Sequence, residues 1–412
     1  MGGFEFVPFG SLAADSRGAF SMGPFGSKIT KENYVNAGVP VVRGVNLTKG
    51  TFVDEGFVYI SEEKADELRS ANVAPGDLIF THRGTIGQVS MIPRLPRFPR
   101  YVIGSSQLKS RLDENRACPE FYYYWFRSRR GEESILAHAS TVGVPGISTP
   151  LTSVKGLRVP FPPIRYQQSV AEILGALDSK IAMNEQVALT MEKTLRARFE
   201  AYGFDSDVRD PGSAVRVDEL IEFNPKVPKP QLRESVYVDM AALPTELARV
   251  RRWAARPPGG GARFVNGDTV MARITPCLEN GKTALIDFME SGEVGIGSTE
   301  FIVMRARRDV PAHFPYLLAR SPRFRAHAIM GMTGSSGRQR CQVDRLVGYL
   351  MPRPQPHALA DLQSHCAPVF DLAKKLDEES RTLADLRDTL LPQLVTGKLH
   401  VKDATRVVEE VV

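Results

Sequence analysis

Two long stretches of the chain carry apolar residues at the spacing of a coiled-coil helix. In the first, apolar residues follow alternating steps of four and three along residues 170–202, and in the second, leucine and valine recur every seven residues. Sustained spacing of this kind is typical of helices that pack on another helix along their length. It predicts helices within 159–204 and 351–400. The predicted contact seam consists of Leu177, Ile181, Asn184, Met191, Leu195, Val369, Leu376, Leu383 and Leu390.

Within the chain, the helix best suited to pack along each predicted helix is the other predicted helix. We therefore expect the two helices to pack together in antiparallel orientation. In such a seam Asn184 would cost stability but would fix the register of the pair. The alternative is two independent amphipathic helices, each packed only on its own domain.

The segments before the two helices, residues 1–158 and 205–350, show a different pattern. Short apolar runs, such as those at 39–42, 77–80 and 300–304, are closely interrupted by glycine and proline, which favours short strands. Each segment also contains one aromatic stretch with helical character, at 120–130 and 313–328. A proline-rich strip separates each segment from the long helix that follows, and residues 401–412 remain as a C-terminal tail. The predicted fold class is α+β, with two mixed domains and two long helices.

The two mixed segments repeat one another. Gly-Asp-Leu-Ile-Phe at 76–80 recurs as Gly-Asp-Thr-Val-Met at 267–271, and Ile-Gly-Ser-Ser at 103–106 recurs as Ile-Gly-Ser-Thr at 296–299. Arg127-Ser128, behind Phe121, recurs as Arg320-Ser321 behind Phe314. A repeat this long is large enough for a domain with its own core. The chain is therefore expected to do one kind of work at two places.

Composition and motifs limit the functions that the sequence is compatible with. The chain has 412 residues and a formal net charge of +6, which favours an anionic partner. No apolar run is long enough to span a membrane, no signal peptide is recognisable, and the four cysteines are scattered, so we expect a cytoplasmic protein without a zinc site or disulfide framework. Neither a Walker A motif, a dinucleotide fingerprint, a metal-binding histidine pair nor a methyltransferase signature occurs. These observations predict a binding protein rather than an enzyme, with no cofactor of its own.

Basic and polar residues cluster in the predicted loops of both mixed segments. Arginine dominates, and its planar guanidinium suits phosphate and the edges of guanine, while threonine and glutamine can contact bases or phosphates. Double-stranded DNA is therefore the leading ligand. The candidate DNA-binding residues are Lys28, Arg43, Thr81, Arg83, Thr85 and Gln107 in the first segment, and Arg273, Thr275, Lys282, Arg338 and Arg340 in the second.

The order of these features resembles the specificity subunit of type I restriction–modification systems. The first copy carries Gly-Pro-Phe-Gly-Ser-Lys at 23–28, Gly-Asp-Leu-Ile-Phe-Thr-His-Arg-Gly-Thr-Ile-Gly at 76–87 and Val-Pro-Phe-Pro-Pro at 159–163. The second opens with Phe-Asn-Pro-Lys-Val-Pro at 223–228 and closes with Leu-Leu-Pro-Gln-Leu-Val-Thr-Gly-Lys-Leu at 390–399. One departure is the second proline strip, 351–356, which lacks adjacent prolines and the glutamines that follow the first strip.

The resemblance implies two target-recognition domains, each reading one half of a bipartite DNA sequence, with the helices fixing the gap. It also implies partners: two modification subunits that bind S-adenosylmethionine and methylate adenine, and restriction subunits for cleavage. Two alternatives stay open from the residues alone. The chain could be a coiled-coil scaffold that reads no DNA, or a single-chain DNA methyltransferase or nuclease, although the motifs of such enzymes are missing.

Overall fold

A computed structural model of the chain describes residues 4–48, 51–140, 143–208, 210–231, 233–334 and 337–410. The chain forms two compact units, which we call unit 1 (Met1–Ile181 with Arg381–Val412) and unit 2 (Ala182–Ser380). Both divisions fall inside the long helices, so each unit contains part of each helix. The recognition-domain boundaries at 1–158 and 205–350 stay a prediction, because each mixed segment is grouped with the helix segments that pack on it.

Unit 1 is built from short strands in two four-stranded sheets. The strands are β1 (Phe6–Pro8), β2 (Phe20–Met22), β3 (Val39–Val42), β4 (Leu47–Thr48), β5 (Thr51–Phe52), β6 (Val58–Ile60), β7 (Asn72–Val73), β8 (Leu78–Thr81), β9 (Val89–Met91), β10 (Tyr101–Ile103), β11 (Gln107–Ser110), β12 (Ala139–Ser140), β13 (Gly146–Ile147) and β14 (Arg158–Pro160). One sheet has the order β6-β3-β10-β7 and the other β2-β11-β8-β9, while β1-β14, β4-β5 and β12-β13 form two-stranded pairs.

Four short α-helices lie in the described part of the first mixed segment, and two of them follow one another directly. The helices are α1 (Glu62–Glu67), α2 (Pro119–Arg127), α3 (Arg129–Leu136) and α4 (Pro150–Gly156). Ser128 ends α2 and caps α3, because its hydroxyl accepts a hydrogen bond from the backbone N–H of Gly131. The aromatic residues of α2 other than Tyr123, among them Phe121 and Trp125, are buried in a core that also contains residues of the sheet and of the long helices.

Unit 2 repeats the two four-stranded sheets of unit 1 and two of its strand pairs. Its strands are β15 (Ala214–Arg216), β16 (Ile221–Phe223), β17 (Ser235–Val238), β18 (Ala254–Arg256), β19 (Ala262–Phe264), β20 (Thr269–Ala272), β21 (Thr283–Leu285), β22 (Gly295–Gly297), β23 (Phe301–Ala306), β24 (Met332–Thr333), β25 (Arg340–Cys341) and β26 (Leu350–Pro352). The sheet orders β18-β17-β22-β19 and β16-β23-β20-β21, with the pairs β15-β26 and β24-β25, reproduce those of unit 1. The hairpin β4-β5 has no counterpart among the described residues of unit 2.

The helix pair recurs too. Unit 2 contains α6 (Phe314–Arg320), α7 (Pro322–Met330) and α8 (Val343–Val347). Ser321 caps α7 as Ser128 caps α3, with its hydroxyl accepting from the backbone N–H of Phe324. The repeated Arg-Ser pair in the sequence thus marks the turn between two short helices in each unit.

The two long helices are α5 (Ile164–Ala201) and α9 (Pro356–Leu394). Within unit 1 their segments are antiparallel: the Tyr166 hydroxyl donates to the Leu394 carbonyl at 2.9 Å, and Arg387 contacts Asp178 at 2.6 Å. Within unit 2 the same direction holds, because Asn184 contacts Glu379 at 2.7 Å whereas Arg198 contacts Asp361 at 2.9 Å. The α+β class with two similar mixed domains and a packed pair of long antiparallel helices is therefore confirmed.

The predicted seam residues differ in burial. Leu177, Asn184, Leu195, Leu383 and Leu390 are buried, whereas Ile181, Met191, Val369 and Leu376 are only partly buried. Next to three of the partly buried positions, the neighbouring residue takes the inner place, namely Glu192, Phe370 and Asp377. The helices of unit 2 pack on the mixed domain as well as on each other, so their buried face is wider and shifted relative to a strict heptad seam.

The last described segment is also helical. Helix α10 (Val401–Glu409) follows α9, and its Ala404 is fully buried in the core of unit 1. Most of the described part of the predicted C-terminal tail, residues 401–410, is therefore helical.

Candidate nucleic-acid interface

In unit 1 the candidate residues gather where β8 and β11 meet. Thr81, the last residue of β8, pairs with Gln107, the first of β11, and both side chains are buried. The Thr81 hydroxyl donates to Gln88 Oε1 at 3.1 Å, which ties the start of the loop after β8 to its end. Arg43 lies near this pair, because Gly104 has both Gln107 and Arg43 as neighbours. A Cβ added at Gly104 would lie 3.0 Å from Gln107 Oε1 and 3.5 Å from Arg43 Cγ.

The loop after β8 presents Arg83 and Thr85 to solvent. Gly84 and Gly87 have φ near +91°, a backbone conformation that glycine adopts without strain. The loop is held against the hairpin β12-β13: Arg83 pairs with Gly146, and Ile147 N–H donates to the His82 carbonyl at 2.9 Å. The Arg83 guanidinium is exposed and makes no ion pair with a described residue. It is therefore a cation available to a ligand on a fixed backbone.

His82, beside Arg83, is directed inward. Its ring is buried, and its Nε2 lies 3.2 Å from the Ser105 carbonyl oxygen. Burial lowers the pKa of His82, so the imidazole is neutral at physiological pH. Lys28 lies in the neighbouring loop after β2 and is exposed. The charge on this surface therefore comes from Arg83 and Lys28, with Arg43 half-buried behind them.

In unit 2 the loop after β20 occupies the same topological place. Cys341 N–H donates to the Arg273 carbonyl at 2.8 Å, and Thr275 Oγ1 accepts from Gln339 N–H at 3.1 Å. Ile274 pairs with Arg340 on β25, as Arg83 pairs with Gly146 in unit 1. The position of Arg273 therefore corresponds to that of His82, and Ile274 corresponds to Arg83. The offset of 191 residues between the two Gly-Asp motifs gives the same correspondence.

Arg273 lines an open cleft with two further cations. The cleft has a volume of about 600 Å³ and is bordered by Asn224, Lys226, Arg263, Arg273 and Thr299. The Arg273 guanidinium donates to Gln342 Oε1 at 2.8 Å, and that of Arg263 donates to the Val227 carbonyl at 2.8 Å. Both arginines keep further N–H groups, so the cleft can bind an anion or a base edge.

Two other candidates in unit 2 serve the unit's own structure. Arg340 makes a forked ion pair with Glu300 at 2.7–3.0 Å, and these hydrogen bonds lower the pKa of the Glu300 carboxyl. The Lys282 ammonium donates to the Met240 carbonyl at 2.7 Å. Arg338, on the loop before β25, is exposed, whereas Arg340 and Lys282 are half-buried. A role of Arg340 or Lys282 toward DNA would compete with these internal contacts.

One repeated ion pair was not recognised from the sequence. Asp77 accepts two hydrogen bonds from Arg111 at 2.7 Å, and Asp268 accepts two from Arg305 at 2.6 and 2.7 Å. Both carboxylates are buried to 1% exposure. The repeated Gly-Asp dipeptide was the available signal. The arginine partner, however, lies directly after β11 in unit 1 and on β23 in unit 2, and only the sheet register brings it beside the aspartate.

The described residues provide no group of three or more histidine, cysteine, aspartate or glutamate side chains that could hold a metal ion. Among the described helices, none is long and apolar enough to cross a membrane. The arrangement is instead that of two cationic loop surfaces, one in each unit, on equivalent strand ends.

Comparison with known proteins matches these observations. Residues 25–193 match the family model for the type I restriction modification DNA specificity domain. The type I restriction enzyme EcoEI specificity subunit of Escherichia coli is 25% identical over 202 residues, which cover 47% of this chain and 34% of that protein. The MjaIX specificity subunit of Methanocaldococcus jannaschii is 22% identical over 394 residues and 87% of both chains. The match covers only about a third of the length of the EcoEI subunit and of a second E. coli relative, the EcoAI specificity subunit.

The fold has a solved counterpart as well. The S subunit of a type I restriction–modification system from M. genitalium superposes with a TM-score of 0.55 at 16% identity, covering 95% of this chain and 96% of that one. The fold of this chain is therefore that of a known S subunit. The family model, the curated relatives and this shared fold together confirm the resemblance of the chain to the specificity subunits of type I restriction–modification systems.

Proposed function

We propose that this chain is the sequence-specific DNA-binding subunit of a type I restriction–modification complex. The observation that carries the proposal is the repetition of one cationic surface on equivalent strand ends of both units. Each surface has an exposed arginine, or a cleft with three cations, on loops held by a sheet and a hairpin. Loops supported in this way can approach DNA without ordering a flexible segment first.

Each unit would read one half of a bipartite target. Exposed cations such as Arg83 would supply phosphate attraction and contacts to base edges, and neighbouring polar groups would add selectivity. The continuous helix α5 has 38 residues, which correspond to about 57 Å at roughly 1.5 Å per residue. Together with α9 it would act as a spacer between half-sites.

The complex would require partner subunits. Two modification subunits would dock on the long helices, bind S-adenosylmethionine and methylate adenine, and restriction subunits would join them for cleavage in the cytoplasm. This chain would contribute recognition and no catalysis. Neither a non-reading scaffold nor a single-chain methyltransferase accounts for both the repeated cationic surfaces and the match to a DNA specificity domain.

Mapping of N6-methyladenine in the host genome tests the proposal. With the gene intact, we expect methylation at one bipartite sequence with a constant gap, and we expect its complete loss when the gene is deleted. Restoring the gene on a plasmid should restore the same sequence. Methylation that persists at every site after deletion, or methyl transfer by the highly purified chain alone, would contradict the proposal.

A further inference from the structure

A large aromatic side chain is exposed in the middle of the cationic surface of unit 1. Phe25 lies in the loop after β2 and is 52% exposed. Its ring centroid lies 6.1 Å from that of His82, with the planes tilted by 51°. A phenyl ring forms no ordinary hydrogen bond with water, and here the ring borders one cleft together with Arg83 and another together with Lys28. An apolar ring among cations fits a ligand that offers both phosphates and flat apolar faces.

The loop that carries Phe25 has a fixed backbone at its base. Gly23 N–H donates to the Gln107 carbonyl at 2.9 Å, and a Cβ added at Gly23 would collide with the Gly104 carbonyl oxygen. Pro24 is buried, and Gly26 has a φ of +58°, so the chain enters and leaves Phe25 through restricted positions. The ring is therefore presented on a built turn, and little conformational entropy is lost when a ligand contacts it.

Two open clefts border the ring. One has a volume of about 340 Å³ and is also bordered by His82, Arg83 and Val144. The other, of about 420 Å³, is also bordered by Lys28, Lys64 and Glu67, and the last two form an ion pair at 2.7 Å. The open space beside the ring leaves room for a flat base to pack against it.

The corresponding segment of unit 2 has no such ring. After β16 the chain reads Asn-Pro-Lys-Val-Pro-Lys-Pro-Gln at 224–231, and the exposed side chains Lys226 and Lys229 are cationic. His82 is likewise replaced by Arg273, which borders the same cleft as Lys226. The two units therefore differ in chemistry at one topological place: aromatic in unit 1 and cationic in unit 2.

We propose that Phe25 stacks on a base step in the half-site read by unit 1, and that the half-site read by unit 2 is bound without such a wedge. The inference rests on the proposed function. Apolar side chains that enter between base pairs unstack one step and bend the duplex. Arg83 and Lys28 would hold the flanking phosphates while the ring is inserted. Deformability of one base step would then contribute to selectivity in one half-site only.

Fluorescence of 2-aminopurine tests this in the complex with the modification subunits. Duplexes carrying the methylated sequence are prepared with 2-aminopurine at successive positions of each half-site, leaving out the adenines that are methylated. Wild type and Phe25→Trp should raise the fluorescence at one step of a single half-site, because unstacking relieves quenching. Phe25→Ala should abolish that rise and weaken binding about 5- to 150-fold, as expected for the loss of one base–aromatic stack. Since no charge is removed, the dependence of binding on salt should not change.

Leu95→Ala serves as the matched control, because Leu95 is 94% exposed in unit 1 and borders neither cleft. It should bind and unstack as wild type does. Selective binding by wild type together with unchanged affinity and fluorescence for Phe25→Ala would overturn the stacking and leave the proposed function intact. A rise in both half-sites that survives in Phe25→Ala would also overturn it. A wild-type complex that selects no sequence at all would overturn the proposed function and the stacking together.

Discussion

Replacing Arg305 by methionine should destabilise unit 2 by about 3–5 kcal/mol, because it leaves a buried carboxylate without its partner. Asp268 is 1% exposed and accepts two hydrogen bonds from Arg305 and one from the Val265 N–H at 2.9 Å. Each charge-assisted hydrogen bond contributes roughly 1.5–3 kcal/mol, so the loss of two gives about 3–6 kcal/mol, which overlaps this range. Against a typical domain stability of about 5–15 kcal/mol, this brings unit 2 close to unfolding.

The two tryptophans of the chain allow each unit to be followed separately. Trp125 is buried in unit 1, and Trp253 of unit 2 stacks on Phe288 with 4.2 Å between ring centroids. Urea unfolding of Trp125→Phe and Trp253→Phe backgrounds, each with and without Arg305→Met, therefore reports one unit at a time. We expect the transition seen through Trp253 to move to lower urea, with little change in the transition seen through Trp125.

Three further variants test whether the loss of stability comes from the buried, unpaired carboxylate of Asp268. Asp268→Asn together with Arg305→Met should recover much of the stability, because the neutral amide can still accept from Val265 N–H and no charge is left buried. Asp268→Asn alone should cost less than Arg305→Met, since Arg305 is about a third exposed and can turn toward water. Arg308→Met, at an exposed neighbouring position, should change stability by less than about 0.5 kcal/mol. A loss below about 1 kcal/mol for Arg305→Met, or an equal shift of the Trp125 transition, would refute the reasoning.

Three other predictions follow from the interface and the helices. If the Arg83 guanidinium contacts a base, Arg83→Ala should weaken binding by roughly 1–3 kcal/mol and relax the methylated sequence in a single half-site. If the guanidinium contacts phosphate, the substitution should weaken binding to all sequences alike. Arg129→Ala, which removes an exposed arginine paired with Glu133, is its control, and unchanged methylation and affinity in Arg83→Ala would exclude both roles. Insertion of one heptad into both α5 and α9 should lengthen the gap in the methylated sequence and keep both half-sites, whereas insertion into α5 alone should abolish methylation. Retention of the original gap in the double insertion would show that the helices do not set it. Asn184→Leu should raise the unfolding midpoint of unit 2, because an apolar residue replaces a buried amide, and should loosen the preference for one gap length; a lower midpoint would show that its bond to Glu379 outweighs the cost of burial.

The sequence pattern predicted the elements of the fold better than their contacts. The apolar spacing located α5 and α9 within a few residues of their ends, because a helix of this length repeats its pattern many times. The repeated Gly-Asp motif located β8 and β20 for a similar reason. The pattern did not predict that the charged residue Glu192 is buried on the inner face of α5. Glu192 can be buried there because it accepts hydrogen bonds from Ala248 N–H and the Tyr316 hydroxyl. Those partners are more than fifty residues away, and burial raises the pKa of Glu192.

The interface was predictable only as a region. Arg83 and Arg340 look alike in the sequence, yet one is exposed and the other is paired with Glu300 across a neighbouring strand. Similarly, Arg94 and Arg100, which follow Arg83 in the first mixed segment, form ion pairs with Glu120 and Asp66. Whether an arginine is available to a ligand depends on which carboxylate the sheet register brings beside it, and this register is set by tertiary packing.

The division of the chain into units also determines the order in which they can form during synthesis. Unit 2 is one continuous stretch, Ala182–Ser380, whereas unit 1 needs Arg381–Val412 as well as Met1–Ile181. In unit 1, Val170, Leu174 and Leu177 share a core with Leu383, Leu390 and Leu394, which are translated about 200 residues later. At roughly 5–20 residues per second, that delay lasts about 10–40 s. The mixed domain that emerges first from the ribosome thus completes its core last, and its apolar helix face stays open to chaperones or to other nascent chains until then.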